Sequence, residues 1–168
     1  ELYAGTARNY KTNFFHPPYV GNEEYFSDFR SSSWKKGISF EDPGDREKDR
    51  FYVNGEGDRE KEYLKHSRET DDYSAYVSFR FSASEVNAVL GTGSKPYKVI
   101  VTLEEEALEV SEAGSDVQFS DEGESFIIVD RSMMFRLVEL RNFQTRELKL
   151  SSNSEDFSIY AFTFGSDN

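Results

Sequence analysis

The feature that most constrains this chain is a two-residue rhythm of apolar and polar side chains. From Ala75 to Ser82, Ala75, Val77, Phe79 and Phe81 fall on one face, and Tyr76, Ser78, Arg80 and Ser82 fall on the other. Successive side chains of a strand point to opposite faces, so this stretch is expected to be a half-buried β-strand. The rhythm returns in Tyr97–Leu103 and again in Phe157–Gly165, which stops at a glycine. A strand like the last one is stable only beside a sheet built earlier in the chain. It is therefore expected to close one finished antiparallel domain, with no catalytic tail beyond it.

Shorter segments fill in the series. Phe51-Tyr52-Val53 runs into Asn54-Gly55, a turn signal, and Glu62-Tyr63-Leu64 resumes the strand after a charged hairpin loop. Further strands are expected at Ser84–Leu90, Ala107–Val110, Ser125–Val129, Met133–Leu140 and Glu147–Leu150, separated by segments carrying Gly, Ser, Asp or Asn. Gly91-Thr92-Gly93-Ser94 reads as a hairpin turn. No window holds apolar residues at 3.6 spacing for long; the best helical candidate, Ser82–Leu90, is short and competes with a strand. Short strands at this spacing predict a sandwich or a barrel. Ser125–Val129 and Phe157–Phe164 carry apolar residues on both faces, as two packed antiparallel sheets require. Ser31–Asp49, with the run Ser31-Ser32-Ser33, Pro43-Gly44 and a charge run, is expected to be a surface excursion. The 168 residues suit a single domain large enough to need no disulfide or metal staple.

Composition narrows the function classes. Fifteen Phe and ten Tyr make the expected core aromatic rather than aliphatic. A formal charge of −12 would repel a phosphate backbone, which excludes nucleic acid as an expected partner. No apolar run approaches the roughly 18 residues of a membrane helix, so direct insertion by this domain is not expected. The absence of cysteine excludes a thiol nucleophile, a disulfide scaffold and a Cys-ligated metal. The chain begins at Glu1 rather than Met, which reads as a processed chain or a piece of a longer one.

No residue pattern declares a reaction. His16 and His66 are the only histidines, and neither has a second ligand at a spacing that local geometry would bring to it. Carboxylates gather at Glu104-Glu105-Glu106, Asp116 and Asp121-Glu122, but glycoside hydrolysis needs two of them held roughly 5 to 9.5 Å apart across a cleft, a distance no sequence supplies. The oxygen-rich segment holding Asp116, Asp121 and Glu122 suits calcium, although it lacks the regular alternating aspartate loop. There is no Gly-x-Ser-x-Gly elbow, and Gly91-Thr92-Gly93-Ser94-Lys95 lacks the spacing of a phosphate loop. No catalytic residue and no resident cofactor are expected. Sugar binding needs aromatic faces that stack on ring CH groups, with polar groups beside them. Trp34, Tyr10, Tyr19, Tyr25 and Tyr52 are the candidates, Trp34 first because it lies between serines and Lys35-Lys36.

Glu1-Leu2-Tyr3-Ala4-Gly5-Thr6-Ala7-Arg8 and Tyr160-Ala161-Phe162-Thr163-Phe164-Gly165 together resemble the two ends of a known domain. It is the C-terminal, carbohydrate-binding-module-like domain of DipZ-type and NHL-repeat thioredoxin-like proteins. Tyr52–Glu56, Phe79–Ala83, Glu85-Val86-Asn87 with Val89-Leu90, Ser115-Asp116-Val117 and Phe135–Val138 are similar to further blocks of that family in the same order. The resemblance implies a jelly-roll-like β-sandwich following a thioredoxin-like domain, in membrane-anchored or exported proteins. The chain departs from the family pattern at Gly57 (often Trp), Met133 (often Arg) and Glu104-Glu105 (often Asp-Gly). The expected function is a non-catalytic accessory module that packs against an upstream thioredoxin-like domain and presents aromatics to carbohydrate. A purely structural docking module is the alternative, and a glycoside-active enzyme ranks last.

Overall fold

The computed structural model describes residues 2–5, 35–42, 44 and 51–166. Trp34, Tyr10, Tyr19, Tyr25 and His16 lie outside them. Among the described residues every element is a strand: β1 (Leu2–Tyr3), β2 (Lys35–Phe40), β3 (Phe51–Arg59), β4 (Leu64–His66), β5 (Tyr76–Gly91), β6 (Tyr97–Leu103), β7 (Glu106–Ala107), β8 (Gln118–Phe119), β9 (Ser125–Val129), β10 (Met133–Ser151) and β11 (Ser158–Gly165). All pairings among them are antiparallel. The protein is an all-β sandwich.

Two long strands organise it. β5 has 16 residues and β10 has 19, well beyond the usual strand of about 5–6. They pair with each other twice, Gln144–Ser151 against Tyr76–Ala83 and Met133–Glu139 against Glu85–Leu90. Between the two ladders, Leu140–Phe143 stand opposite Ser84 alone, a bulge that bends the ribbon and carries it from one layer into the other. On one side of the bulge the larger layer runs β8-β9-β6-β10-β5-β3 with β2 outside β3. On the other, the smaller layer runs β10-β5-β11-β1. β4 pairs with both β3 and β11 and joins the layers at one end.

The two-residue rhythm of β5 becomes the core. Phe79 and Phe81, 0% and 1% exposed, face Phe162 and Phe164 of β11. The Phe79 and Phe162 ring centroids are 4.3 Å apart, Phe79 and Phe164 5.8 Å, and Phe81 and Phe164 6.5 Å. Aromatic residues therefore bridge the layers, and Val99, Val101, Ile127, Leu148 and Leu150 continue the buried seam under the larger sheet.

Several local expectations are corrected. Asn54-Gly55 is no turn: β3 runs straight through it, with Gly55 at φ +105° where the strand exchanges β5 for β2 and β4 as partners. The expected surface excursion at 31–49 contains β2, whose Phe40 is buried. A Cβ on Gly57 would stand 3.1 Å from the Phe40 ring, so the tryptophan of the family pattern would displace β2. Met133–Leu140 and Glu147–Leu150 are one strand, and the Ser82–Leu90 helix candidate lies inside β5. Ala107–Val110 keeps only the end of β7, with Val110 79% exposed. The Glu104-Glu105 turn joins Leu103 to Glu106 with both residues at positive φ, +53° and +66°, where glycine or asparagine is the ordinary choice. Each left-handed residue costs about 1–2 kcal/mol. The offset is a clamp onto β10: Glu104 accepts the Glu147 N–H at 2.8 Å and pairs with Arg146 at 3.4 Å, and Glu105 pairs with Lys149.

The glycine-rich segment after β5 is not a hairpin turn, because β5 and β6 do not pair; β10 lies between them. Its glycine makes room for a carboxylate. A Cβ on Gly93 would lie 2.0 Å from Asp156 Cγ, and Asp156 accepts both the Ser94 N–H at 2.8 Å and the Ser94 hydroxyl at 2.9 Å, with Lys65 at 3.7 Å. Burial opposes ionisation of Asp156, but the two Ser94 donors and Lys65 outweigh it and hold the carboxyl below its ordinary range. Beside it, burial pushes the Tyr97 hydroxyl up to about 12 while that hydroxyl donates to the Gly91 carbonyl at 2.6 Å.

Two outcomes are expected. Phe79→Ala lowers stability by about 3–5 kcal/mol in urea unfolding, whereas Phe143→Ala, at a ring 62% exposed, changes it by less than about 0.5 kcal/mol. Equal losses would show that the layers are not held by the aromatic seam. Because the Asp156 carboxyl is depressed on folding, its contribution is present above the unfolded value near about 3.9 and is lost as pH falls through the folded value. The stability gap between wild type and Asp156→Asn therefore shrinks as unfolding is repeated from pH 6 down toward pH 3. A gap constant with pH would contradict the assignment.

Candidate functional site

The site begins with a break in the rhythm of β11. Inward positions run Ile159, then Phe162 and Phe164, so one residue must be absorbed, and the register against β5 shifts between Ile159 and Ala161. Tyr160 occupies that shift. Its ring stands 5.0 Å from the ring of Tyr63, tilted by 41°, and its carbonyl accepts the Ala4 N–H at 2.9 Å. The hydroxyl of Tyr160 is raised above its ordinary range, first by burial and then by neighbouring Tyr63 and Glu62.

β1 supplies the opposite wall. Leu2 pairs with Phe162 and points inward, which turns Tyr3, opposite Ala161, outward. Immediately after, the chain crosses the β3–β4 turn at contact distance: a Cβ on Gly5 would lie 2.3 Å from the Glu62 carbonyl carbon. The turn itself is closed by the Glu60 N–H donating to the Tyr63 carbonyl at 2.9 Å. Lys61 and Glu62 at its tip are exposed.

Together these pieces enclose a cleft of about 330 Å³, at the lower end of the size range of small-molecule sites. Tyr3 and Tyr160 line it, Val89 and Ala161 form its apolar floor, and Lys61 and Glu62 bring one ammonium and one carboxylate. Two phenol rings, a small apolar floor and a few convergent polar groups suit a ligand with both CH faces and hydroxyls. A second cavity near His66 and Phe157 holds only about 20 Å³, too little for more than a water.

The residues expected from sequence fall elsewhere. Tyr52 is 3% exposed and belongs to the core cluster, so its ring is not offered for stacking. Packing decided this: Tyr52 pairs with Ser78, itself 0% exposed. His66 is buried, its Nδ1 3.0 Å from the Ser154 carbonyl oxygen. Asp116 Oδ2 accepts the Arg136 N–H at 2.7 Å, and Asp121 and Glu122 lie exposed in the turn between β8 and β9. Among the described residues no three His, Cys, Asp or Glu side chains are grouped to hold a metal, and no helix is long and apolar enough to cross a membrane. Tyr3, Tyr63 and Tyr160 were missed. The available signal was the change of parity between Ile159 and Phe162, which marks a bulge and so a side chain turned aside.

Fold and cleft together define a β-sandwich domain with an aromatic surface recess. The chain belongs to the family described as the thioredoxin-like C-terminal domain, whose model matches residues 16–165. No curated protein matches the sequence.

The close approach at Gly5 is testable. Gly5→Ala forces β1 off the β3–β4 turn and is expected to cost about 1–3 kcal/mol in urea unfolding, with a changed near-ultraviolet circular dichroism from the Tyr63–Tyr160 pair. An unaltered spectrum and midpoint would mean that β1 does not pack there.

Proposed function

We propose that this chain is a non-catalytic, carbohydrate-binding-module-like accessory domain of a DipZ-type thioredoxin-like protein, and that it holds a glycan in the tyrosine cleft. On this reading the sandwich is jelly-roll-like, follows an upstream thioredoxin-like domain and works outside the cytoplasm. The observation that carries it is the convergence of Tyr3, Tyr160, Lys61 and Glu62 around a recess of about 330 Å³ on a domain of the thioredoxin-like C-terminal family. The non-catalytic part is supported by how the expected carboxylates are used. Glu104 and Glu105 are committed to Arg146 and Lys149, and Asp116 to a backbone N–H.

Titration calorimetry with a panel of neutral sugars, with and without calcium, tests the reading. Tyr160→Ala is expected to weaken binding about two- to tenfold, the worth of one aromatic face at about 0.5–1.5 kcal/mol. Binding of no sugar in either condition would remove the glycan-binding role.

A second reading, a docking module for the upstream domain, is favoured by Val110 and Phe143, large apolar side chains 79% and 62% exposed. Cross-linking and light scattering with a thioredoxin-like domain present would show a complex, and a single monomeric species indifferent to it would count against docking.

A further inference from the structure

Outside the cleft, the outer face of the smaller layer continues in rows fixed by the strand register. Ala161 lies beside Val89 and Val89 beside Met134, forming the row that begins at Tyr3. The next outward row, two residues along each strand and so about 6.8 Å away, is Thr163, Asn87 and Arg136. Two of its side chains are in contact. Asn87 Nδ2 donates to Thr163 Oγ1 at 3.4 Å, and that hydroxyl reaches Met134 Sδ at 3.8 Å. The Asn87 amide oxygen accepts no hydrogen bond from any described residue. Arg136 is exposed and its backbone is pinned by Asp116, while its guanidinium makes no hydrogen bond or ion pair with any described residue.

We propose that Thr163, Asn87 and Arg136 form a second sugar subsite, continuous with the tyrosine cleft, so that the ligand is an uncharged oligosaccharide running along the strands. The inference rests on the glycan reading of the cleft. A hydroxyl, an amide acceptor and a five-donor guanidinium in one row match the mixed donors and acceptors of a sugar ring. The adjoining Met134, 46% exposed, gives an apolar edge. The occupant is neutral because the third row, Glu85 and Glu139, is acidic and the whole chain carries −12. A polyanionic chain would meet repulsion along that border.

The experiment is calorimetry with glucose and galactose against maltose, cellobiose and lactose. One disaccharide is expected to bind about tenfold more tightly than its monosaccharide, the gain of one charge-assisted hydrogen bond. Arg136→Ala and Asn87→Ala are each expected to erase most of that gain while leaving monosaccharide affinity unchanged, with unaltered circular dichroism. Monosaccharide binding without any disaccharide gain, or a gain that survives Arg136→Ala, overturns the second subsite and leaves the cleft standing. Binding of none of the five sugars overturns both.

Discussion

The structure depends on one constraint, the double pairing of β5 with β10 through a bulge in which four residues face Ser84. A continuous ladder between strands of 16 and 19 residues would give one long twisted ribbon with two exposed apolar faces. The bulge instead lets the same two strands serve both layers, so the first half of β5 can lay Phe79 and Phe81 against Phe162 and Phe164 while the second half pairs with the strand carrying them. Ser84 at the bend is 2% exposed and its hydroxyl donates to the Gly165 carbonyl at 3.3 Å. The hinge is thus tied to the end of β11.

Polar residues complete the joints that strands leave open. Buried backbone groups need partners, and here short hydroxyl side chains provide many of them. Ser125 accepts the Leu108 N–H at 2.9 Å and donates to the Val101 carbonyl at 2.5 Å, fastening an irregular segment to β6. Ser152 donates to the Lys98 carbonyl at 2.7 Å, and Ser154 accepts the Asp156 N–H at 3.1 Å. A serine-rich sequence that reads as loop is in part the mortar of the sandwich end. The acidic side chains divide in the same manner, since Asp156 and Glu104 bind backbone donors of neighbouring segments.

The cleft follows from the same geometry. Its floor belongs to β5 and β11, the strands the bulge delivers to the smaller layer, and its walls come from Tyr3 and Gly5 and the tip of the β3–β4 turn. A recess built by segments so far apart in the chain has no local signature. Gly5 and the β11 bulge are places where the backbone, rather than side-chain chemistry, shapes it.

Period-two alternation was enough to reveal the all-β class and most strand positions, because side-chain direction along a strand is a local property. The core expected from composition to be aromatic rather than aliphatic is instead built mainly of Val, Leu, Ile and Ala around a seam of Phe, because most of the described Tyr and several Phe side chains do not face inward. Phe79, Phe81 and Val101 are inward as that rhythm implies. The family was legible as a thioredoxin-like C-terminal domain, from the ordered blocks between Glu1 and Gly165. Tertiary structure alone decided that Asn54-Gly55 stays extended, that 133–151 is one strand, that Tyr52 is buried and that Tyr3 and Tyr160 line one cleft. Each of these depends on which strand lies alongside. Such partners are brought together by layer packing over separations as long as that between Tyr3 and Tyr160, and nothing in a residue's own neighbourhood encodes them.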